Sequence, residues 1–584
     1  MLEGCTPFPA EVAERYVRAG FWRRETVPQA IAKAALERPD SIAITDSTRS
    51  VTFSRLIAEA GNLAALLSRN GIVRNDRIVI QLPNCVEFAT LTIACLEIGA
   101  IPVMALPAFR KADLEYLVSF SDAKAIAIAP EYRGFDHAAL ARELKICVIL
   151  STTPADGCFS MHEHAGPTHA IGSSRGDPFE VALFLLSGGT TGMPKLIPRT
   201  HADYLYNARE SAAATGLTSK SRILLALPAE HNFPLACPGL LGALLTGGRS
   251  IFSQSTKAAD LADTIEREQI THLPCVPVLA IALLELPQSS RSKLASLRVV
   301  TVGAQRLQEP TAYALKQSFP HLIVQQVLGM AEGLLCYTRL DELDEFAFAT
   351  QGRPLSTADE IRIVNADGTD VAIGAVGQLW CRGPYTIRGY FRAPDRNREA
   401  FTAEGFYRTG DLVRLDPSGN LVVEGRIKDL INRGGEKISA EEIEAHLIAH
   451  PAVSTAAVVA MPDPILGERS CAYLSLREGA TITLTVMREF LDARGVAQFK
   501  WPERIELVHG LPLTNVGKIK KSELRRDISE KLAAERTTSA SGAAAPQGKL
   551  KHGRRKRNPP AQPPDRETRA QQSHATLPSD HRED

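Results

Sequence analysis

At 584 residues the chain is too long for one ordinary domain, and 44% apolar with 23% charged residues fits a globular protein of two or more domains. A formal net charge of +1 gives the chain as a whole no electrostatic reason to bind nucleic acid or an acidic membrane. Its ten cysteines, Cys5 to Cys471, include no C-x-x-C pair, so they read as reduced thiols and not as a disulfide scaffold.

The start, Met1-Leu2-Glu3-Gly4, has no basic segment followed by an apolar run, so no secretory signal is expected. No stretch of about 18 apolar residues occurs, so no membrane span is expected either. The expectation is a cytoplasmic protein without nucleic-acid or membrane partners.

From about residue 25 to 425, short apolar runs alternate with helical patterns. Phe53 to Ser68 is amphipathic. Arg77-Ile78-Val79-Ile80-Gln81-Leu82 and Val181-Ala182-Leu183-Phe184-Leu185-Leu186 read as buried strands. This rhythm predicts an α/β protein, with parallel sheets covered by helices in a large N-terminal domain at 1–425. The texture changes near Gly405, and Asp416-Pro417-Ser418-Gly419-Asn420 predicts a hairpin turn. Glu424 to Asp429 marks a boundary, and 429–535 is expected to form a small α+β domain. Residues 536–584 are small, polar, then basic (Lys549 to Arg557), then proline-rich, and predict a disordered tail.

Leu186-Ser187-Gly188-Gly189-Thr190-Thr191-Gly192-Met193-Pro194-Lys195 directly follows the second buried strand. The glycines let backbone approach a ligand, and Ser187, Thr190, Thr191 and the loop amides offer donors to phosphate oxygens. Lys195 adds positive charge. Met193-Pro194 after the last glycine excludes a Walker A loop.

This segment resembles the signature loop of the adenylate-forming superfamily, which includes acyl-CoA synthetases, luciferases and peptide-synthetase adenylation domains. Four further motifs follow in the family's order. Gly329-Met330-Ala331-Glu332 resembles the motif ending in an acidic Mg²⁺ ligand. Tyr407-Arg408-Thr409-Gly410-Asp411 resembles the ribose-binding motif. Gly425-Arg426-Ile427-Lys428-Asp429 resembles the hinge, and Asn515-Val516-Gly517-Lys518 the C-terminal lysine motif. The resemblance covers residues 25 to 535 and implies ATP as co-substrate and Mg²⁺ as metal, with Glu332 and Thr190 as its ligands. It implies ribose contacts from Asp411 and Arg426, and catalysis of the first half-reaction by Lys518. It also implies a small domain that rotates about Lys428, bringing Gly434-Gly435-Glu436-Lys437-Ile438 toward an incoming thiol.

Pro228 to Gly239 resembles the aryl-acid subgroup, which activates salicylate or 2,3-dihydroxybenzoate for siderophore assembly. The resemblance makes His231, Asn232 and Phe233 acyl-pocket residues, with Asn232 on the 2-hydroxyl, and lays Gly303-Ala304 flat against the ring and adenine. At the two positions that separate the acids, this chain has Cys237 and Leu335, where dihydroxybenzoate enzymes resemble serine and valine. Cysteine is a weak hydrogen-bonding group, and leucine narrows the wall. The expected activity is therefore a salicylate–AMP ligase that passes salicylate to the phosphopantetheine thiol of a separate aryl carrier protein. The alternatives are a 2,3-dihydroxybenzoate–AMP ligase and an aryl-CoA ligase.

Overall fold

Short strands rich in Val, Ile and Leu build two large sheets in the computed structural model of the chain. It describes residues 1–542 except 164–168, 174–175, 188–193, 434–435, 465, 495, 497 and 515–516; the side chains of 437 and 536–542 also lie outside the description. Met1–Glu530 forms one compact unit and Lys531–Asp584 another.

One sheet of the first unit has seven strands in the order Leu196–Thr200, Val181–Leu186, Ile101–Met104, Arg77–Gln81, Ala123–Ile128, Val148–Ser151 and Phe159–Ser160. They run parallel, except that Leu196–Thr200 folds back antiparallel on Val181–Leu186. A nine-stranded sheet has a parallel centre that includes Arg222–Leu225, His272–Cys275, Val299–Val302 and Ile323–Met330. A four-stranded antiparallel sheet carries Tyr407–Leu415 beside Leu421–Arg426, joined by the turn in which Asp416 Oδ1 accepts the Ser418 and Asn420 amides at 2.9 and 2.8 Å.

The small C-terminal domain is a five-stranded sheet, its long hairpin Val453–Asp463 and Gly467–Leu476 flanked by Ala440–Ile448 and Leu484–Ala493. The fold is thus mixed α/β, with a large N-terminal and a small C-terminal domain, as expected. The last helix is Lys521–Gly542. Among the described residues no helix is long and apolar enough to cross a membrane.

The helix Val86–Ile98 is mostly apolar and buried on every side, which suits a place between layers. It shares one hydrophobic core with Ile78 and Ile80 of the seven-stranded sheet and Ile223 and Leu225 of the nine-stranded one. Its two carboxylates are compensated: Glu87 pairs with Arg49 at 2.7 Å, and Glu97 accepts the Gly172 amide at 2.8 Å.

Asn84, just past the strand Arg77–Gln81, joins the carboxyl ends of both sheets. Its Nδ2 donates to the carbonyls of Leu225, Leu227 and Ser253, each at 3.0 Å, and its Oδ1 accepts the Ala229 amide at 2.9 Å. Asn84→Ala leaves these groups without their partner and is expected to cost roughly 2–4 kcal/mol. The measurement is the thermal midpoint, which should fall clearly; a melt indistinguishable from wild type would show that the carbonyls are satisfied some other way.

Candidate active site

Loops at the carboxyl ends of parallel strands are where α/β sheets bind ligands. Here Ala226–Phe233 follows Arg222–Leu225, Val276 follows His272–Cys275, Gly303 follows Val299–Val302, and Glu332 follows Ile323–Met330. The described site residues expected from the sequence fall on or beside these loops, at the hairpin that ends in Lys195, on the four-stranded sheet, and on the turns that carry Lys428 and Lys518.

The glycine-rich segment is the loop of the hairpin Val181–Leu186/Leu196–Thr200. Its ends are tied by Ser187 N to Lys195 O and by Lys195 N to Ser187 Oγ, both 3.0 Å. Gly188, Gly189, Thr190, Thr191 and Gly192 lie outside the described residues. Lys195 places its ammonium 4.2 Å from the centre of the Tyr390 ring, a cation–π contact. Burial lowers its pKa, and the nearby Glu332 carboxylate opposes that shift.

Glu332 Oε1 accepts the Tyr390 hydroxyl at 2.8 Å, and that hydroxyl is 3.1 Å from the hydroxyl of Tyr407. Tyr390 thus links the Lys195, Glu332 and Tyr407 motifs. The turn at Ala331 is fixed from below by Arg199, which is fully buried. Its guanidinium pairs with Asp203 at 2.8 Å and donates to the carbonyls of Ala331 at 3.0 Å and Tyr385 at 3.3 Å. Sequence reasoning passed over Arg199, Tyr390 and Asn84. For Arg199 a signal existed: a cation ending a buried strand, with Asp203 four residues on.

Asp411 and Arg426 face each other on neighbouring strands and pair at 2.7 Å. The Asp411 charge raises the Arg426 pKa. Lys428 follows in the short 3-10 turn Ile427–Asp429; burial and then Arg426 lower its pKa. Around this junction Ser439 Oγ of the small domain donates to the Glu424 carbonyl at 2.6 Å, and within the small domain Arg525 pairs with Asp429 and Lys521 with Glu444 at 2.8 Å. Gly434, Gly435, Asn515 and Val516 lie outside the described residues.

Lys518 sits in a tight turn: Thr514 N donates to Lys518 O at 2.6 Å, and Lys518 N to Thr514 Oγ1 at 3.0 Å. Gly517 has φ +76° and packs on Val276 of the large domain so closely that a Cβ would come within 2.8 Å of Val276 Cγ2. Only glycine meets both demands. Burial moves the Lys518 pKa to about 8, with Arg426 and Lys428 lowering it and Asp411 and Glu332 raising it. His231 is held at about 3 by burial and by the Lys518 charge. Lys518, Glu332, Asp411, Arg426 and His231 therefore meet in one electrostatic neighbourhood, although they span almost three hundred positions of the chain.

His231 caps the short helix Asn232–Ala236. Asn232 Oδ1 and His231 Nε2 are buried and have no hydrogen-bond partner among the described residues. The neighbouring Glu230, which sequence reasoning did not use, buries both carboxyl oxygens without a hydrogen-bond partner among the described residues, and burial pushes its pKa well above the usual carboxylate value. Orphaned buried polar atoms are rare in proteins and point to a missing ligand or water.

Cys237 and Leu335 are both 1% exposed. Tyr337 Oη donates to the Cys237 carbonyl at 2.9 Å, and Leu335, two residues before Tyr337 on the strand Gly333–Tyr337, projects to the same side. Burial pushes the Cys237 thiol up to about 11, so it stays protonated. Behind Phe233 lies Gly303, where a Cβ would come within 2.6 Å of Val327 Cγ1 and 3.2 Å of the Phe233 ring. Ala304 holds a left-handed φ of 71°, a conformation that costs a Cβ-bearing residue energy. Gly329 and Met330 end the strand Ile323–Met330, with Gly329 opposite Leu335.

Residues 31–391 match the AMP-binding enzyme family, and residues 442–518 match the AMP-binding enzyme C-terminal domain. The chain is 45% identical over 542 residues to pyochelin synthase PchD of Pseudomonas aeruginosa, covering 91% of this chain and 98% of that one. It is 44% identical over 540 residues to the 2,3-dihydroxybenzoate-AMP ligase of Bacillus subtilis (91% and 99% covered). It is also 44% identical over 545 residues to a salicylyl-CoA synthase / salicylate adenylyltransferase of a Streptomyces species (90% and 97% covered). Among solved structures, apo MbtA of Mycobacterium smegmatis superposes with a TM-score of 0.69 at 43% identity, over 90% of this chain and 98% of that one. The chain thus belongs to the AMP-binding, adenylate-forming enzyme family, in its aryl-acid–AMP ligase subgroup.

Proposed function

We propose that the protein is a salicylate–AMP ligase. It joins salicylate to the α-phosphate of ATP, releases pyrophosphate, and passes the salicyl group to the phosphopantetheine thiol of a separate aryl carrier protein. The setting we propose is siderophore biosynthesis in a bacterial cytoplasm. Relatives named for salicylate and for 2,3-dihydroxybenzoate are equally similar, so the choice of acid rests on the pocket.

The observation that carries the choice is the pair Cys237 and Leu335, both buried, with Cys237 closing the short helix that the orphaned Asn232 begins. Asn232 Oδ1 suits the proton of a 2-hydroxyl. The thiol is a poor partner for a 3-hydroxyl, and leucine takes the room it needs.

In the first step a carboxylate oxygen attacks the α-phosphorus, and the bond to the β-phosphate oxygen breaks. Lys518 holds the carboxylate against the phosphate, and Lys195 with the glycine-rich loop binds the phosphate chain. Asp411 and Arg426 hold the ribose. Among the described residues no three His, Cys, Asp or Glu side chains converge as a metal cage. A single carboxylate, Glu332, oriented by Tyr390, fits Mg²⁺, which takes one or two carboxylates beside substrate phosphates. When bound, the ion neutralises phosphate charge. In the second step the small domain turns about Lys428, the thiol attacks the acyl carbon, and AMP leaves.

ATP–pyrophosphate exchange with salicylate, 2,3-dihydroxybenzoate and benzoate tests the acid. Salicylate is expected to exceed the dihydroxy acid by about tenfold in kcat/KM, the effect of one poorly paired buried hydroxyl. The reverse order overturns the specificity, and no exchange with any of the three overturns the aryl-acid reading. The double variant C237S/L335V should narrow the gap. Loading of holo carrier against coenzyme A decides the acceptor.

Lys518 must carry its proton to serve two anions. Its pKa near 8 therefore predicts that exchange kcat/KM is full below that pH and falls as pH rises through it. K518A should lower exchange at least roughly 10²-fold and remove the alkaline limb. A wild-type profile flat from pH 7 to about 9.5, spanning the pKa by more than a unit on its alkaline side, would exclude this role.

A further inference from the structure

The helix His201–Ala214 lies behind Cys237 and turns Tyr204, Asn207 and Ser211 to one face, at spacings of three and four residues. All three are fully buried. Both amide protons of Asn207 are engaged: Nδ2 donates to the Ala236 carbonyl at 2.9 Å and to Cys237 Sγ at 3.3 Å. The sulfur of Cys237 is therefore an acceptor toward the helix. Ser211 Oγ lies against both the Cys237 thiol and the Tyr337 hydroxyl, close enough to act on each, while Asn207 Oδ1 is buried without a hydrogen-bond partner among the described residues.

We propose that Asn207 and Ser211 are positioning residues that fix the orientation of the Cys237 thiol and, through it, the choice of ring substituent. The proposal rests on the reading that Cys237 borders the ring. With Asn207 donating to the sulfur, the thiol's one proton turns inward to the Ser211 hydroxyl, the oxygen that adjoins it on the helix side. The sulfur then presents no proton to the ligand, and only its second lone pair, a weak acceptor, is left. A 3-hydroxyl arriving there finds only that weak partner, whereas a bare ring carbon needs none. Selectivity is thus set by the thiol's direction as well as by its size. An aliphatic helix face behind the same cysteine would leave the thiol free to turn and greet a hydroxyl.

The test is the ratio of exchange kcat/KM for salicylate over 2,3-dihydroxybenzoate, with KM and kcat separated, in wild type, N207A, C237A and N207A/C237A. N207A is expected to shift the ratio toward the dihydroxy acid by roughly threefold to tenfold, mainly through its KM, the scale of one neutral hydrogen bond. In the C237A background there is no sulfur to orient, so adding N207A should leave the ratio unchanged. Equal shifts in both backgrounds, or no shift with Cys237 present, overturn the proposal. S211A, which removes one hydroxyl and little volume, should shift the ratio in the same direction and supplies the measurement if N207A melts out; an unmoved ratio in S211A overturns the role of Ser211. A wild-type preference for the dihydroxy acid would defeat the salicylate reading, while the coupling between positions 207 and 237 would still decide this one.

Discussion

A carboxylate and a triphosphate repel, and on the proposed function that repulsion is what the cations of this site must answer. The cations come from three separate places: Lys195 from the glycine-rich hairpin, Arg426 from the four-stranded sheet, and Lys518 from the small domain. They are not massed in advance. Arg426 is engaged by Asp411, Lys195 lies against Tyr390, and Lys518 gives up part of its basicity to burial. Concentrating bare positive charge in a half-buried cleft costs free energy, so acids and an aromatic face hold the cations until anions arrive.

Irregular loops must still be held to within a fraction of an ångström for such chemistry. Two buried polar side chains do much of this. Asn84 gathers backbone from both sheets, and Arg199 grips the turn that precedes Glu332. A buried arginine is tolerable only when its donors are used, and Arg199 has one carboxylate and two carbonyls. The stiffness of the site is thus built from buried side chains whose polar groups are spent on backbone and on one carboxylate.

The alternation of Val/Ile runs with amphipathic stretches made the α/β class legible, and the strands at 77 and 181 fall where their apolar runs place them. The order of strands was not legible. Sheets of seven and nine strands draw on segments far apart in the chain, and no local pattern records which neighbours meet. The same limit hid parts of the site. Lys195, Glu332, Asp411 and Lys518 stood out because each sits in a motif. Tyr390, Asn84 and Asn207 have side-chain hydrogen-bond partners 17 to 169 positions away and no motif around them. Glu230 escaped for another reason: a carboxylate between Ala229 and His231 reads as a surface charge until the fold buries it.

The close fit of Gly517 on Val276 has a consequence for the nucleotide as well as for the acid. Lys518 is the next residue, so its ammonium is present only while that contact stands. Separating the two surfaces subtracts one positive charge from a pocket that keeps Asp411 and Glu332. What remains is a poorer host for phosphate. In the proposed mechanism, movement that clears a path for a thiol would therefore also loosen the grip on spent nucleotide, so that a steric match no larger than one missing methyl group would couple acceptor entry to product exit.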